Sequence, residues 1–485
     1  MMQNSILVRN STLKGSIRVS GSKNAALPII ISTLLTNQAI LRNIPTKLLD
    51  IKNILQILEH AGSMVEVNND CLNINNTNLN LINFDIMADL ANKTRASLWL
   101  LAPMLIRLGQ VTLPMPGGCK LNTGPRMIDL HINILRQMGA KIDIKNNLII
   151  ATLDSKKFHG TDFTYRIQSV GATITGILAA VQADGETNLY NCAQEPEIVD
   201  LCNFLNSIGA NIKSIGTSDL AITGVEKLNS NAEYTIISDR IEACTYIFAT
   251  AATNGSIILT NIDIELLDNL QEIFRNMGIG VNYETDMLIS APHIEPSDLS
   301  FEQDLLITPN PYGVDPEIDD YAPPGSNSID TKIEDEYTQK GFILVKRTDD
   351  RLFGLDISTG PYPQFSTDLQ PLIMSALITA DGESNINENI FDNRFTHVAE
   401  LKKMGAKITL NDKYHATINP VRKLHGAEVN PNDLRSAAAL VIAGLVADSS
   451  KHPTKIKNAY HLYRGYEDMV EKLISCGANV EVSND

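Results

Sequence analysis

The stretch Leu135-Arg-Gln-Met-Gly139-Ala-Lys-Ile-Asp-Ile144 decides the architecture, because the chain repeats its pattern six times. The order Leu-x-x-small or apolar-Gly-x-x-apolar returns at Leu58 and Gly62, Leu205 and Gly209, Leu401 and Gly405, and Leu473 and Gly477. It returns also at Phe274 and Gly278, with Phe in the leading place. Each copy follows residues with helical apolar spacing and precedes an alternating stretch such as Asn479-Val-Glu-Val. Gly in that place reads as the residue just past a helix, where positive φ is needed. Each unit therefore ends as helix, glycine stop, strand. Recurrence at this period means a chain assembled from similar supersecondary units.

Working outward, a second helical pattern opens every unit. These openings are Asn24-Ala-Ala-Leu, Arg95-Ala-Ser-Leu, Gly171-Ala-Thr-Ile, Glu242-Ala-Cys-Thr, Asp368-Leu-Gln-Pro and Arg435-Ser-Ala-Ala. They are rich in small apolar residues and poor in charge, which predicts buried helices. Short strands follow, as in Gly109-Gln-Val-Thr-Leu and Gly255-Ser-Ile-Ile-Leu. The unit reads helix–strand–helix–strand with a further strand, and the fold class is α/β, built inside-out with helices within and sheets outside. Six units divide into two domains of three. The first spans 23–232, and the second combines 1–22 with 233–485, the N-terminal strand region completing it.

Spacings between the repeat glycines are 77, 70, 69, 127 and 72, so the fourth carries an insertion, placed at about 297–350. From Phe301 to Asp350 there are 12 acidic and 4 basic residues, a net −8 against −16 for the whole chain. That composition predicts a surface excursion outside the core.

At 485 residues and 44% hydrophobic the chain can bury sizeable cores. Its net charge of −16 argues against a nucleic-acid or anionic-membrane surface, so an anionic ligand requires a local basic pocket. The apolar runs at 25–35 and 437–447 fall short of the roughly 20 residues of a membrane span. The N-terminus lacks a charged stretch followed by an apolar run, so no signal peptide is expected. The six cysteines show no C-x-x-C spacing, which suits a reducing, cytoplasmic setting.

The repeat register gathers cations. Lys23, Arg95 and Arg435 stand at the starts of opening helices, and Arg126, Arg394 and Arg464 at the comparable place before second helices. A cation at a helix N-terminus is unfavourable unless an anion accompanies it. Arg clamps phosphate and carboxylate through its planar fork. The set predicts one cleft for a substrate carrying several anionic groups. Asp239, Asp368 and Asp433 share those helix ends, where helix capping and proton transfer are both open to them. Asp368, in Phe-Ser-Thr-Asp-Leu-Gln, is the candidate base. Cys119 lies in the loop Pro116-Gly-Gly-Cys-Lys-Leu-Asn-Thr-Gly-Pro-Arg126, beside Lys120, where a lowered thiol pKa and reactivity are expected. No Walker A, no G-x-G-x-x-G after a strand and no H-E-x-x-H occurs, so neither a bound nucleotide cofactor nor a catalytic metal is expected.

These residues together resemble the UDP-N-acetylglucosamine enolpyruvyl transferase family. The matching segments are Gly21-Ser-Lys-Asn-Ala-Ala-Leu-Pro, Lys93-Thr-Arg-Ala-Ser-Leu-Trp, Pro116-Gly-Gly-Cys, Glu195-Pro-Glu-Ile-Val-Asp, Asp239-Arg-Ile-Glu, Phe391-Asp-Asn-Arg-Phe, Asp433-Leu-Arg-Ser and Tyr463-Arg-Gly-Tyr. The resemblance implies the enolpyruvyl-transferase fold, with two three-unit domains joined by a double crossover. It implies transfer of enolpyruvate from phosphoenolpyruvate to the 3-hydroxyl of UDP-N-acetylglucosamine, with release of phosphate, as the first committed step of peptidoglycan synthesis. No cofactor is implied; the two substrates are the partners, with no nucleic acid and no membrane, and a monomer is expected.

By the same resemblance, Lys23, Arg95, Arg126, Arg394, Arg435 and Arg464 hold phosphate and carboxylate. Cys119 serves as proton donor to C3 or as covalent nucleophile, and Asp368 accepts the hydroxyl proton. Asn24, Ser169, Val170, Gly171 and Ile390 match uridine-sugar contacts, and His131, Asp239, Phe391 and Asp433 complete the implied substrate-binding set. The Cys119 loop is implied to be a lid, and its thiol the target of fosfomycin. The chain departs from the family pattern in a lid two residues longer between Cys119 and Arg126, in Pro45-Thr-Lys-Leu-Leu-Asp50, in Gln194 and in the insertion. The rival readings are a 3-phosphoshikimate transferase, an RNA-end cyclase-like protein and a non-catalytic repeat scaffold.

Overall fold

All six repeat glycines adopt positive φ: 95° at Gly62, 103° at Gly139, 98° at Gly209, 77° at Gly278, 95° at Gly405 and 81° at Gly477. Only glycine takes that conformation without a Cβ penalty, and each one ends a helix. The computed structural model describes residues 5–80, 90, 94–115, 128–284 and 342–483. Within them lie helices α1 (Lys23–Ser32), α2 (Leu49–His60), α3 (Leu101–Leu108), α4 (Ile128–Gln137), α5 (Val170–Ala180) and α6 (Pro196–Ser207). The second half adds α7 (Arg240–Ala252), α8 (Gln271–Met277), α9 (Gln370–Leu377), α10 (Val398–Lys403), α11 (Leu434–Val446) and α12 (Met469–Ser475).

Odd-numbered helices open the units and even-numbered helices end at the repeat glycines. Burial separates the two sets. Every residue of α9 is buried, as is all of α1 except Asn24 and all of α7 except Ala252. In α2 the buried side is Asp50, Ile51, Ile54, Leu55, Ile57 and Leu58, one face of a helical repeat. The fold is thus inside-out, with helices poor in charge at the centre and sheets around them.

Each sheet follows one plan. In the first, strands run in the order 231–235, 38–42, 71–75, 64–68. The outer pair, 231–235 with 38–42, is parallel; the other two pairings are antiparallel. The same plan recurs as 162–164, 186–190, 220–223, 211–213, as 14–18, 256–260, 342–347, 279–284, as 357–358, 384–387, 415–419, 407–410, and as 428–429, 454–457, 5–8, 480–483. The second unit shows three strands, 110–114, 148–152 and 141–145. Each unit with a four-stranded sheet therefore carries a parallel strand, which, apart from Lys14–Arg18 in the N-terminal strand region, goes beyond those read from the sequence. It is held partly by asparagine. Asn43, Asn191 and Asn261, all at positive φ, donate from Nδ2 to the carbonyls of Ile236, Tyr165 and Val19, each just past that parallel strand. Each such bond contributes about 1 kcal/mol.

Two large apolar clusters result. One draws its residues from Ala25 to Ile236; the other combines Ile6 to Val19 with Ile241 to Val480. Strands Ser5–Val8 and Lys14–Arg18 join sheets of the second set, and Asn231–Thr235 joins a sheet of the first. The chain passes between the clusters near Gly21 and again near Ser238, and these two residues form an antiparallel bridge. One expectation is corrected. Phe342–Arg347, inside the stretch read as an excursion reaching 350, is an inner strand with Ile343 and Val345 fully buried. Its apolar run Phe-Ile-Leu-Val was masked by the acidic residues around it. Among the described residues, no helix is long and apolar enough to cross a membrane.

Candidate active site

The opening helices of several units aim their first residues at one another. Lys23 is the first residue of α1 and Arg435 the second of α11, while Arg394 begins a short 3-10 turn, Arg394–His397. All three are buried, Arg394 and Arg435 to 2% exposure. A buried guanidinium at a positive helix end requires a counter-charge. Asp368 supplies it. Arg394 Nη2 lies 3.2 Å from Asp368 Oδ1, and Arg435 Nε and Nη2 lie 3.1 and 3.0 Å from Oδ2. Arg435 also sits over the Tyr466 ring, 5.3 Å from its centroid, with the Tyr466 hydroxyl 3.1 Å from Thr245 Oγ1.

Burial raises the Asp368 pKa, but Arg435, Arg394 and Lys23 outweigh it and hold the carboxyl well below the usual carboxylate range. Lys23 is pulled down by burial and by Arg435 and Arg464, against Asp50 and Asp368. Two anions thus anchor four cations. Asp50, in the first turn of α2, faces Lys23 Nζ at 3.6 Å and Arg464 Nε at 3.0 Å. Arg464 ends a 3-10 turn, Ala459–Arg464, ahead of α12, the second helix of its unit.

The three aspartates part company. Asp239 caps α7, accepting from the amides of Ile241 and Glu242 at 2.9 and 3.0 Å, and its other oxygen accepts from the Lys23 amide at 3.3 Å. Asp433 caps α11 through the Arg435 and Ser436 amides and accepts from the Ser436 hydroxyl at 2.5 Å. Asp368 makes no capping bond, because the N-cap of α9 is Leu369. Of the three it is the one not committed to a helix cap.

A neighbouring group gathers around α5. Ser169 caps it through the Ala172 amide at 3.4 Å, and Val170 and Gly171 form its half-buried first turn. The Gly171 carbonyl accepts from Trp99 Nε1 at 3.0 Å, and a Cβ on Gly171 would stand 3.1 Å from His131 Cε1, so a larger residue there requires the ring to shift by a few tenths of an ångström. His131 Nδ1 lies 2.7 Å from Thr175 Oγ1. Burial, then Arg95, lowers His131 to about 4 against Asp129, so the ring is neutral at pH 7. Arg95 is exposed and starts the turn Arg95–Leu100, against which α1 packs, carrying Lys23 and half-buried Asn24. Ile390 is 37% exposed and Phe391 half-buried, in the turn leading to Arg394.

Cys119 and Arg126 lie outside the described residues, as do residues 116–127 as a whole. Burial pushes the thiols of Cys192, Cys202 and Cys244 up to about 12 and that of Cys476 to about 11, so these are poor nucleophiles. Sequence reasoning missed Asp50 as an anchor, although it ends the quoted Pro45-Thr-Lys-Leu-Leu-Asp segment. Lys47, in the same segment, is exposed and pairs with Asp468. Among the described residues no cluster of His, Cys, Asp and Glu is arranged to hold a metal ion. The arrangement can bind a small molecule bearing several negative charges and can take up a proton beside it.

Comparison with known proteins bears on what that molecule is. The EPSP synthase (3-phosphoshikimate 1-carboxyvinyltransferase) family matches residues 8–305 and 327–473. A protein of Orientia tsutsugamushi (strain Ikeda), named UDP-N-acetylglucosamine 1-carboxyvinyltransferase, is 41% identical over 481 residues, covering 98% of this chain and 99% of its own. A protein of the same name from Rickettsia bellii (strain OSU 85-389) is 39% identical over 484 residues, covering 99% and 100%. Among solved structures, the enolpyruvyl transferase NikO from Streptomyces tendae superposes with a TM-score of 0.77 at 19% identity, covering 99% of this chain and 98% of its own. An EPSP synthase from Acinetobacter baumannii superposes at 0.68 and 16%, covering 99% and 100%. Those two likenesses concern the fold.

Proposed function

The chain belongs to the EPSP synthase family and, within it, to the UDP-N-acetylglucosamine 1-carboxyvinyltransferases, and from that membership we propose that it transfers enolpyruvate from phosphoenolpyruvate to the 3-hydroxyl of UDP-N-acetylglucosamine. It is an enzyme of the transferase class. Protonation of C3 makes C2 of phosphoenolpyruvate electrophilic, and the sugar oxygen bonds to C2. The tetrahedral ketal then loses phosphate as a proton leaves C3, which restores the double bond.

The observation that carries this reading is Asp368 held between Arg394 and Arg435 with Lys23 close by. The phosphate and carboxylate of phosphoenolpyruvate compete with Asp368 for these cations, joined by Arg95, Arg126 and Arg464. As the arginines turn to substrate, their hold on Asp368 weakens and its basicity rises. The carboxylate then accepts the hydroxyl proton at the moment of attack. Cys119 delivers the proton to C3 or forms a covalent adduct there. Asn24, His131, the Ser169–Gly171 turn, Asp239, Ile390, Phe391 and Asp433 form the sugar-nucleotide side.

We place the reaction in the cytoplasm as the first committed step of peptidoglycan synthesis, serving cell-wall biogenesis, cell shape and division, with fosfomycin acting on Cys119. We take the two apolar clusters as the two domains, with the chain passing between them near Gly21 and Ser238. Mass spectrometry of the products tests the proposal. A UDP-N-acetylglucosamine enolpyruvyl ether is expected; unchanged sugar nucleotide after prolonged incubation with phosphoenolpyruvate contradicts it.

A further inference from the structure

Glu388 is fully buried, yet has no ion-pair partner among the described residues. A carboxylate in that position is costly unless several donors converge on it. Three do. Thr367 Oγ1 donates to the carboxylate with 3.0 Å to each oxygen, and the amides of Ile390 and Phe391 donate to Oε1 at 3.0 and 3.1 Å. One carboxylate therefore ties together two segments distant in sequence, the one that presents Asp368 and the one that presents Ile390, Phe391 and Arg394.

The support behind Glu388 is stiff. Its own amide donates to the Tyr414 carbonyl at 2.8 Å, just beyond the end of the paired strands 384–387 and 415–419. The next residue, Asn389, bonds Thr359 twice, from its amide to Oγ1 and from Nδ2 to the carbonyl, both at 2.9 Å. The front is the active site itself. The Thr367 carbonyl accepts from Arg394 Nε at 3.1 Å, so Thr367 links Glu388 by its hydroxyl to Arg394 by its backbone. Asp368 follows directly, between Arg394 and Arg435.

We propose that Glu388 is a positioning residue for this transfer, fixing the Thr367–Asp368 peptide and the Ile390–Phe391 turn in one mutual geometry. The role rests on the reaction proposed above. Both oxygens are used, so an amide retains the Oε1 contacts and loses the second acceptor, whereas alanine releases both segments. Glu388 touches none of the reacting atoms; it acts through Thr367.

The test measures phosphate release by the full chain from phosphoenolpyruvate and UDP-N-acetylglucosamine, giving kcat and each KM. The variants are Glu388→Ala, Glu388→Gln, Thr367→Val and the Glu388→Ala/Thr367→Val pair, with thermal unfolding measured alongside. Glu388→Ala is expected to lower kcat about 10²-fold, the scale of an ångström-sized misplacement, with the KM for phosphoenolpyruvate changed less than about threefold. Glu388→Gln recovers to within about fivefold of wild type, and Thr367→Val loses about tenfold or more. The pair loses no more than about threefold beyond Glu388→Ala, since one connection is removed twice.

Variants that unfold earlier but keep kcat within about threefold while folded overturn the role. Should Glu388→Ala fail to fold, Thr367→Val decides by the same criterion. Wild-type protein without phosphate release contradicts the reaction and this role with it; wild-type turnover with indifferent variants contradicts the role alone.

Discussion

Arg435 donates twice to a single oxygen of Asp368, from Nε at 3.1 Å and Nη2 at 3.0 Å, while its Nη1 is buried with no hydrogen-bond partner among the described residues. Buried donors are rarely left unmade. A desolvated donor left over beside an ion pair is available to a further anion, as the reaction proposed above requires.

Arg394→Ala should therefore damage turnover far more than folding. Asp368 keeps Arg435 in that variant, so its charge stays compensated. Steady-state kinetics should show kcat/KM reduced about 10²- to 10³-fold, the effect of losing one preorganised donor. The thermal midpoint should move only slightly. Proportionate losses of both would make Arg394 a structural residue.

The stability contributed by Asp368 should survive moderate acid. Its folded pKa lies below the unfolded value of about 3.9, so its contribution is present above that pH and is lost as pH falls through the folded pKa. Denaturant unfolding should give a constant gap between wild type and Asp368→Asn from about pH 7 to 5, closing only below about pH 4. A gap that closes near pH 6 would show that the guanidinium groups do not hold the carboxylate down.

The buried histidines act in the same direction as Asp368, over a higher range of pH. Burial lowers His131 and His397 to about 4, so both are neutral when folded and take up protons on unfolding. Each contributes stability that is complete above the unfolded pKa of about 6.5 and declines as pH falls from there toward the folded value. Their Cε1 proton resonances should stay fixed between about pH 8 and 5.5. A midpoint near 6.5 for His131 would place a charged imidazole beside Arg95 and contradict the buried geometry.

Alkylation should discriminate among the six cysteines. Buried thiols pushed up to about 11 or 12 carry almost no thiolate at neutral pH. Fosfomycin with UDP-N-acetylglucosamine present should add once, at Cys119, by intact-mass and peptide analysis. Adducts on Cys192, Cys202 or Cys244, or none at all, would contradict the assignment of the reactive thiol.

What was legible in the sequence was local. The glycine stops could be read because positive φ is a one-residue requirement, and the opening helices because a run of a dozen or so mostly apolar residues with few charges has few other destinations. The convergence of Lys23, Arg394 and Arg435 followed from the repeat register alone. The parallel strands did not: Asp162–Thr164 and Ile357–Ser358 are too short and polar to announce themselves, and depend on partners far along the chain. Asp50 and Glu388 carry no motif either. Asp50 acquires its role by meeting Arg464, 414 residues away, and Glu388 by closing a turn on itself while reaching Thr367. Asp239, Asp368 and Asp433 all stand at helix starts in the sequence, and the capping bonds of Asp239 and Asp433 set those two apart from the candidate base.

Phosphate release in the presence of phosphoenolpyruvate and one acceptor at a time addresses the central claim most directly. The account requires steady release with UDP-N-acetylglucosamine, background release with phosphoenolpyruvate alone, and background release with shikimate 3-phosphate. Release with shikimate 3-phosphate and none with the sugar nucleotide would contradict it.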